Sequence, residues 1–472
     1  MATTKNITMR QFNGTDYDTL YPKTTSKQVE GIYNKEETLA NGTKSLYGLA
    51  EASVPDDAFQ KILTNFNKSD SKINDITPKI GDIALSARKG LGGKWLLCNG
   101  DDISPTTYPD LANLIRGIYG KTLSTYSLKP GRIAYYNGMW VAVAQALETS
   151  DGNPYIFYTF DPSKTWYSIK IASLNPSQER HIYLEDIACY NGTWVIVGRY
   201  IDTSSDTYPK VYVSTNPTSS SSWKDVVVSA SRSFDLGGVA CYNGTWVAID
   251  AYGKGIAVST NPASSWNFIN MESQIGMNST SSIYCYNGTW VICGMSGTRH
   301  PAIITTTNPS STWTQYILDS TTMGAGIDIA CYNGTWVIAG NTGGNGVISS
   351  DSNSTIFTTT NLAGTWSKKI LTTTGNEGLD GVTCCNGVWY VVSGQTGAIY
   401  YTTTPASYWS PVLIPPSTTI LPNKLYSIAS SDDIWVAMGY TSDNLPYAMT
   451  NAYYKLPTIS PDRAYAYIKA LE

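Results

Sequence analysis

Seven segments of the chain share one order of apolar and polar positions: RIAYYNGMWVAVA, DIACYNGTWVIVG, GVACYNGTWVAID, SIYCYNGTWVICG, DIACYNGTWVIAG, GVTCCNGVWYVVS and SIASSDDIWVAMG. Two runs rich in β-branched and aromatic residues flank a short polar break, which predicts a strand, a tight turn and a second strand. Asn-Gly supplies the break at Asn137, Asn191, Asn243, Asn287, Asn333 and Asn386, because both residues tolerate the positive φ of a hairpin turn. The tryptophan of each second run recurs at Trp140, Trp194, Trp246, Trp290, Trp336, Trp389 and Trp435, spaced by 54, 52, 44, 46, 53 and 46 residues. Periods of ~40 to 50 residues with strand-like content predict the blades of a β-propeller, whereas helical repeats would show a 3.6-residue period.

A second signature follows each hairpin. A short apolar run ends in Ser or Thr, any residue, Asn or Asp, often Pro, and a Trp a few positions on, as in Ser259, Asn261 and Trp266, in Thr306, Asn308 and Trp313, in Thr359, Asn361 and Trp366, and in Thr159, Asp161 and Trp166. Each blade is thus expected to hold four strands, two joined by Asn-Gly and two by this box. The box resembles the Asp-box of sialidase-like propellers, with Asn usually in place of Asp and the glycine mostly absent; around Ser214, Asn216 and Trp223 it is two residues longer. That resemblance implies a fold and no activity. Only six box tryptophans exist, Trp166, Trp223, Trp266, Trp313, Trp366 and Trp409, and the last blade runs out near Met449, Thr450 and Asn451. The segment Thr122 to Leu128 is expected to supply the missing outer strand and close the ring, removing open sheet edges.

Composition narrows the function classes. Charged residues make up 14% of the 472, against roughly a quarter in an ordinary domain, and the net charge is -4 without a basic stripe, so nucleic acid is not an expected partner. No apolar run approaches the ~20 residues that cross a bilayer, and no secretory leader opens the chain, so membrane insertion is not expected and synthesis in the cytoplasm is. Of eight cysteines, Cys189, Cys241, Cys285, Cys331 and Cys384 occupy one position of the repeat. Equivalent positions on successive sheets lie too far apart for disulfides, so these read as small buried thiols, and a ring of single thiols has no metal-site spacing.

The flanks carry a different pattern. Trp95, Leu96, Cys98, Asn99 and Gly100, then Ser104, Thr107, Tyr108, Pro109 and Leu111, then Ile118, Tyr119 and Gly120 resemble a phage tail-collar or tail-fibre protein. The Leu-Pro element and closing strand of that family are matched by Leu456 and Pro457 and by Ala466, Tyr467 and Ile468, on the far side of the repeats. The expected fold is mainly β: a seven-bladed propeller, 122–454, inserted into a small tail-collar-like domain, 81–121 plus 455–472. Residues 1–80 resemble a particle-attachment region, with a short helix expected from Asp56. The resemblance implies docking to phage tail or baseplate proteins through this region, assembly as a homo-oligomer, in that family often a trimer, and a place in a virion tail or a phage-tail-like bacteriocin.

With the first strand of each blade innermost, the Asn-Gly turns and the boxes share one face, short and uniform. The connections after the second and fourth strands share the other, and they vary in length and content. Recognition residues concentrate on variable loops of a rigid scaffold. The expected receptor contacts on that face are Tyr155, Arg180, His181, Arg199, Tyr200, Asp202, Tyr208, Arg232, Tyr252, Arg299 and His300. Tyrosine offers a flat ring and a hydroxyl at small entropic cost, which suits sugars and polymer surfaces.

Sialidase-type chemistry needs an arginine cluster for a carboxylate, a Tyr activated by Glu, and a general acid. The arginines of the repeats, Arg132, Arg180, Arg199, Arg232 and Arg299, fall in no such motif. There is no nucleophile elbow, phosphate loop or cluster of His ligands, and no cofactor or metal is expected. The reading is attachment to a bacterial surface glycan or glycoprotein, without catalysis. A carbohydrate-cleaving depolymerase and a structural tail decoration are the competing readings.

Overall fold

The computed structural model describes residues 107, 108, 111, 116–124, 128–146, 153–172, 179–228, 234–272, 276–343, 353–372, 378–412, 422–431 and 433–454, with further strands at 9–12, 17–20, 36–38, 44–46, 83–86, 95–97 and 465–469. The helix expected from Asp56 lies outside the described residues. The chain divides into two compact units, Met1–Gly117 with Tyr454–Glu472, and Ile118–Tyr453. In the first unit Met9–Phe12 pairs with Tyr17–Leu20 and Glu36–Thr38 with Lys44–Leu46. There too the late strand Tyr465–Lys469 lies between Ile83–Ser86 and Trp95–Leu97, antiparallel to both.

The second unit is a seven-bladed β-propeller of four-stranded antiparallel sheets. The innermost strands of the blades are Leu128–Tyr136, Glu179–Tyr190, Leu236–Tyr242, Met277–Tyr286, Gly324–Tyr332, Leu379–Cys385 and Lys424–Ser431. Each touches the next around the ring, and the seventh touches the first. The turns follow from the dipeptide that makes them: the six asparagines have φ between 46° and 49° and the glycines after them between 76° and 84°.

Alternation along the strands builds the core between blades. In the second strand of blade 2, Thr193–Asp202, Val195 and Val197 face blade 3 while Trp194 and Ile196 face blade 1, and all four are buried. The boxes staple the outer strands. The indole Nε1 of Trp166, Trp266, Trp313, Trp366 and Trp409 donates to the carbonyl four residues back, at 3.0 to 3.3 Å. In the longer box Trp223 donates to Pro217 at 3.2 Å, and the extra residues are taken up by a 3-10 turn, Ser220–Ser222.

Ring closure corrects one expectation. The outer strand of blade 7 is Arg116–Thr122, not Thr122 to Leu128; Leu128 instead begins the inner strand of blade 1. Ile118 packs into the core between blades 6 and 7, and the Leu123 amide donates to the Pro446 carbonyl at 2.8 Å. A Cβ on Gly120 would overlap the hydroxyl end of the buried Tyr447 ring, which would have to move to admit it. In place of a box tryptophan, Asn451 turns back on its own blade, accepting from the Trp435 amide at 2.8 Å and donating to the Asp433 carbonyl at 3.0 Å.

Candidate functional site

Among the described residues, blade 2 has the longest first and second strands of the propeller, extended on the face of the variable connections. Its first three strands, Glu179–Tyr190, Thr193–Asp202 and Thr207–Ser214, run on as a sheet to the pair Glu179 and Asp202 and the pair Ile201 and Thr207. The extension begins at Gly198, where a Cβ would strike the Tyr183 carbonyl at 2.0 Å. It ends in a turn made by Asp202, whose Oδ1 accepts from the Ser204 and Asp206 amides at 2.8 Å each.

The two sides of the extension carry different chemistry. On the side toward blade 1, Tyr200 and Tyr208 stack with centroids 5.0 Å apart and planes 15° apart. Beneath them Lys210 is buried between Glu179 at 2.7 Å and Asp225 at 2.6 Å, with its ammonium 5.0 Å from the centre of the Tyr200 ring. Burial alone would lower the Lys210 pKa, but the bonds to Asp225 and Glu179 outweigh it and hold the group above an ordinary lysine. The cation is therefore fixed, and it stiffens the tyrosine pair.

On the side toward blade 3 lie His181, Tyr183 and Arg199. The Arg199 guanidinium sits 4.6 Å from the Tyr183 ring centre and bonds Glu185 at 2.9 Å and Asp235 at 2.5 Å. Burial would lower its pKa, and Asp235 and Glu185 raise it instead. Asp235 is itself buried, with Oδ1 unpartnered, and its amide donates to Asp250, which also accepts from Tyr252 and Lys254. Arg199 is thus half-buried and joins two blades. Tyr252, 58% exposed, stands in the turn beside it.

The other expected contacts are spread along the same face. Arg180 is exposed at the start of the blade 2 extension. Tyr155 is half-buried against the core between blades 7 and 1. Arg299 is exposed with φ 65° in the turn of blade 4, and His300 is held there by its Nδ1, 3.0 Å from the Thr322 carbonyl. Arg232 lies outside the described residues. The structure therefore brings together Arg180, His181, Arg199, Tyr200, Asp202 and Tyr208 on one extension with Tyr252 beside it, and leaves Tyr155, Arg299 and His300 on other blades.

Sequence reasoning missed the axis of the ring. One repeat position, the residue before the apolar pair that precedes the Asn-Gly, is Arg132, Asp186, Gly238, Ser282, Asp328, Gly381 and Ser427. Every inner strand is irregular there. The bulge turns this residue to its neighbours. Asp186 accepts from the Val239 amide at 2.8 Å, Asp328 from Val382 at 2.9 Å, and Ser427 from Ile133 at 3.3 Å. Arg132 reaches across to Asp328 at 2.7 Å. Burial pushes Asp186 and, nearby in blade 6, Asp380 up to about 6, with Arg132 offsetting part of the rise. A charged residue inside an otherwise apolar strand run was the available signal.

The repeat cysteines are free thiols, as are Cys293 and Cys385. No group of His, Cys, Asp and Glu among the described residues has the arrangement of a metal site, and no helix there is long and apolar enough to cross a membrane.

Comparison with solved structures agrees with the fold. A structure of YCF48 bound to D1 peptide superposes with a TM-score of 0.50 and 12% identity, over 76% of this chain and 97% of that one. YCF48 from Cyanidioschyzon merolae gives 0.48 and 12%, over 71% and 98%. A GH43 β-xylosidase/α-arabinofuranosidase from a compost microbial metagenome gives 0.35 and 14%, over 48% and 89%. At these identities the likeness is one of fold alone, and the two lower scores carry no argument. No curated protein matches the chain. Residues 81–129 match the family model of the Phage Tail Collar Domain, in a stretch that runs through the closing strand Arg116–Thr122. The chain thus joins a phage tail collar domain to a seven-bladed β-propeller.

Proposed function

We propose that this chain is a receptor-binding tail protein, attaching a phage or a DNA-free tail-like particle to a glycan or glycoprotein of a bacterial surface through the face of variable connections. The observation that carries the reading is the blade 2 extension, whose stacked Tyr200 and Tyr208 stand on a buried, neutralised Lys210. A rigid aromatic pair loses little entropy on binding. The collar match at 81–129 supports a tail protein; docking to the particle through residues 1–80 and a homo-oligomeric form belong to the same proposal.

Attachment without cleavage fits the arginines. Arg132 is bonded to Asp328 and Arg199 to Glu185 and Asp235, so neither is available to a substrate carboxylate. The test is sedimentation of the purified chain with a panel of bacterial envelope preparations, with soluble sugar assayed in parallel. Saturable retention, lost in a Tyr200→Ala/Tyr208→Ala variant and without sugar release, is expected. Released oligosaccharide would establish the depolymerase reading instead, and absence of retention the structural one.

A further inference from the structure

The seven blades align with one another, so a residue that departs from the repeat marks a position where the fold does not demand it. Three departures gather at one place. The third residue after the box tryptophan is Ile169, Val226, Ile269, Lys369 or Val412 in other blades and Tyr316 in blade 4. The residue before the repeat cysteine is alanine in Ala188, Ala240 and Ala330, the small Thr383 in blade 6, and the bulky Tyr284 in blade 4. The box proline of Pro162, Pro217, Pro262, Pro309 and Pro405 is Leu362 in blade 5.

Tyr316 and Leu362 line a cleft of about 370 Å³ on the turn face between blades 4 and 5, with Tyr286, Trp336, Asn287 and Asn361 among its other walls. Tyr284 backs it: Trp336 is gripped edge-on by Tyr284, at 6.3 Å and 89°, and by Tyr286, at 6.4 Å and 88°. Tyr286, Tyr316 and Leu362 pack on the core beneath, which fixes the floor. Hydrogen-bonding groups remain for a ligand. Asn361 uses Oδ1 to accept from the Ala363 amide at 3.2 Å, which leaves its NH₂ to donate. Thr305 donates to the Trp290 carbonyl at 2.8 Å, which leaves its oxygen to accept. No lining residue is an acid, a lysine, an arginine or a histidine.

We propose that this cleft is a binding subsite for one ring of a neutral saccharide. An aromatic face, negative at its centre, takes the C–H face of a sugar, while an amide donor and a hydroxyl acceptor meet its hydroxyls. A charged ligand would find no counter-ion among the lining residues. The volume lies at the small end of ligand pockets, roughly 300–1,000 Å³, too small for a folded partner. The site is on the opposite face from the blade 2 extension and does not rest on the attachment reading.

The full chain is applied to an array of neutral hexose and N-acetylhexosamine oligosaccharides, with sialyllactose as the charged control, and the ligands retained are titrated by calorimetry. Saturable binding of a neutral oligosaccharide is expected. Tyr316→Ile, which restores the residue of blades 1 and 3, should weaken it about tenfold, or ~1.4 kcal/mol. The unfolding midpoint should stay in place, and Leu362→Pro gives a second repeat-restoring variant if it does not. Tyr200→Ala should leave this binding intact, so the loop-face reading can fail separately. No neutral ligand on the array, binding by sialyllactose alone, or undiminished affinity in both repeat-restoring variants would overturn the proposal.

Discussion

Arg132 of blade 1 and Asp328 of blade 5 meet at 2.7 Å near the axis of the ring, although their blades are not neighbours. Asp328 also holds the Ser282 hydroxyl at 2.7 Å and the Val382 amide at 2.9 Å, so one carboxylate ties blades 1, 4, 5 and 6. Removing one partner of a buried pair leaves the other charge uncompensated. Arg132→Ala is expected to cost about 3 kcal/mol in urea unfolding. A loss within a few tenths of wild type would mean that solvent on the axis replaces the guanidinium.

The same axis predicts a pH dependence. Burial disfavours the charged forms of Asp186 and Asp380 and pushes both up to about 6 in the folded protein. In the unfolded chain an aspartate titrates near ~3.9, so the folded state binds protons more tightly between these values. Stability from these groups is full below pH ~4 and lost as pH rises through about 6. Asp380→Asn removes one such group and keeps an acceptor for the Gly394 amide. Its stability relative to wild type should rise across that window and level off above it; a difference independent of pH would contradict the burial argument.

Closure of the ring packs Gly120 against the fully buried Tyr447. Gly120→Ala should loosen blade 7 before the others. Hydrogen exchange would then accelerate in Lys424–Tyr454 and leave the hairpins of blades 3 to 5 protected. Uniform acceleration over all blades would show that the ring opens only as a whole.

The repeat thiols should be silent. Burial pushes Cys189, Cys285 and Cys331 up to about 12 and Cys241 and Cys384 up to about 11, so almost no thiolate exists at neutral pH. Treatment with a disulfide reagent at pH 7.5, followed by peptide mass mapping, should find these five unmodified in the native protein and labelled in denaturant. Labelling of any of them without denaturant would indicate local opening of its turn.

Arg199 separates stability from recognition on the loop face. Its guanidinium neutralises Glu185 and the buried Asp235, so Arg199→Ala should lower stability by about 2 kcal/mol by leaving a buried carboxylate unpaired. Tyr252→Ala, at an exposed ring, should leave stability within about 0.5 kcal/mol. Thermal unfolding of the two variants reads both.

The local features were written in the chain itself. Asn137-Gly138 and its five counterparts specify hairpin turns because their backbone preferences act within two residues, and the apolar alternation around Val195 and Val197 specifies which side of a strand is buried. Strand count, blade count and the division into a uniform and a variable face follow from such short-range rules. Long-range pairing does not. Both Arg116–Thr122 and Thr122 to Leu128 can be read as strands, and the choice was made by Ile118 finding a core and Gly120 clearing Tyr447. The commitment of Arg199 to Asp235, the meeting of Arg132 with Asp328, and the cleft under Tyr316 likewise join residues far apart in sequence. Their distances are set by the radius and closure of the ring, which only the assembled sheets define.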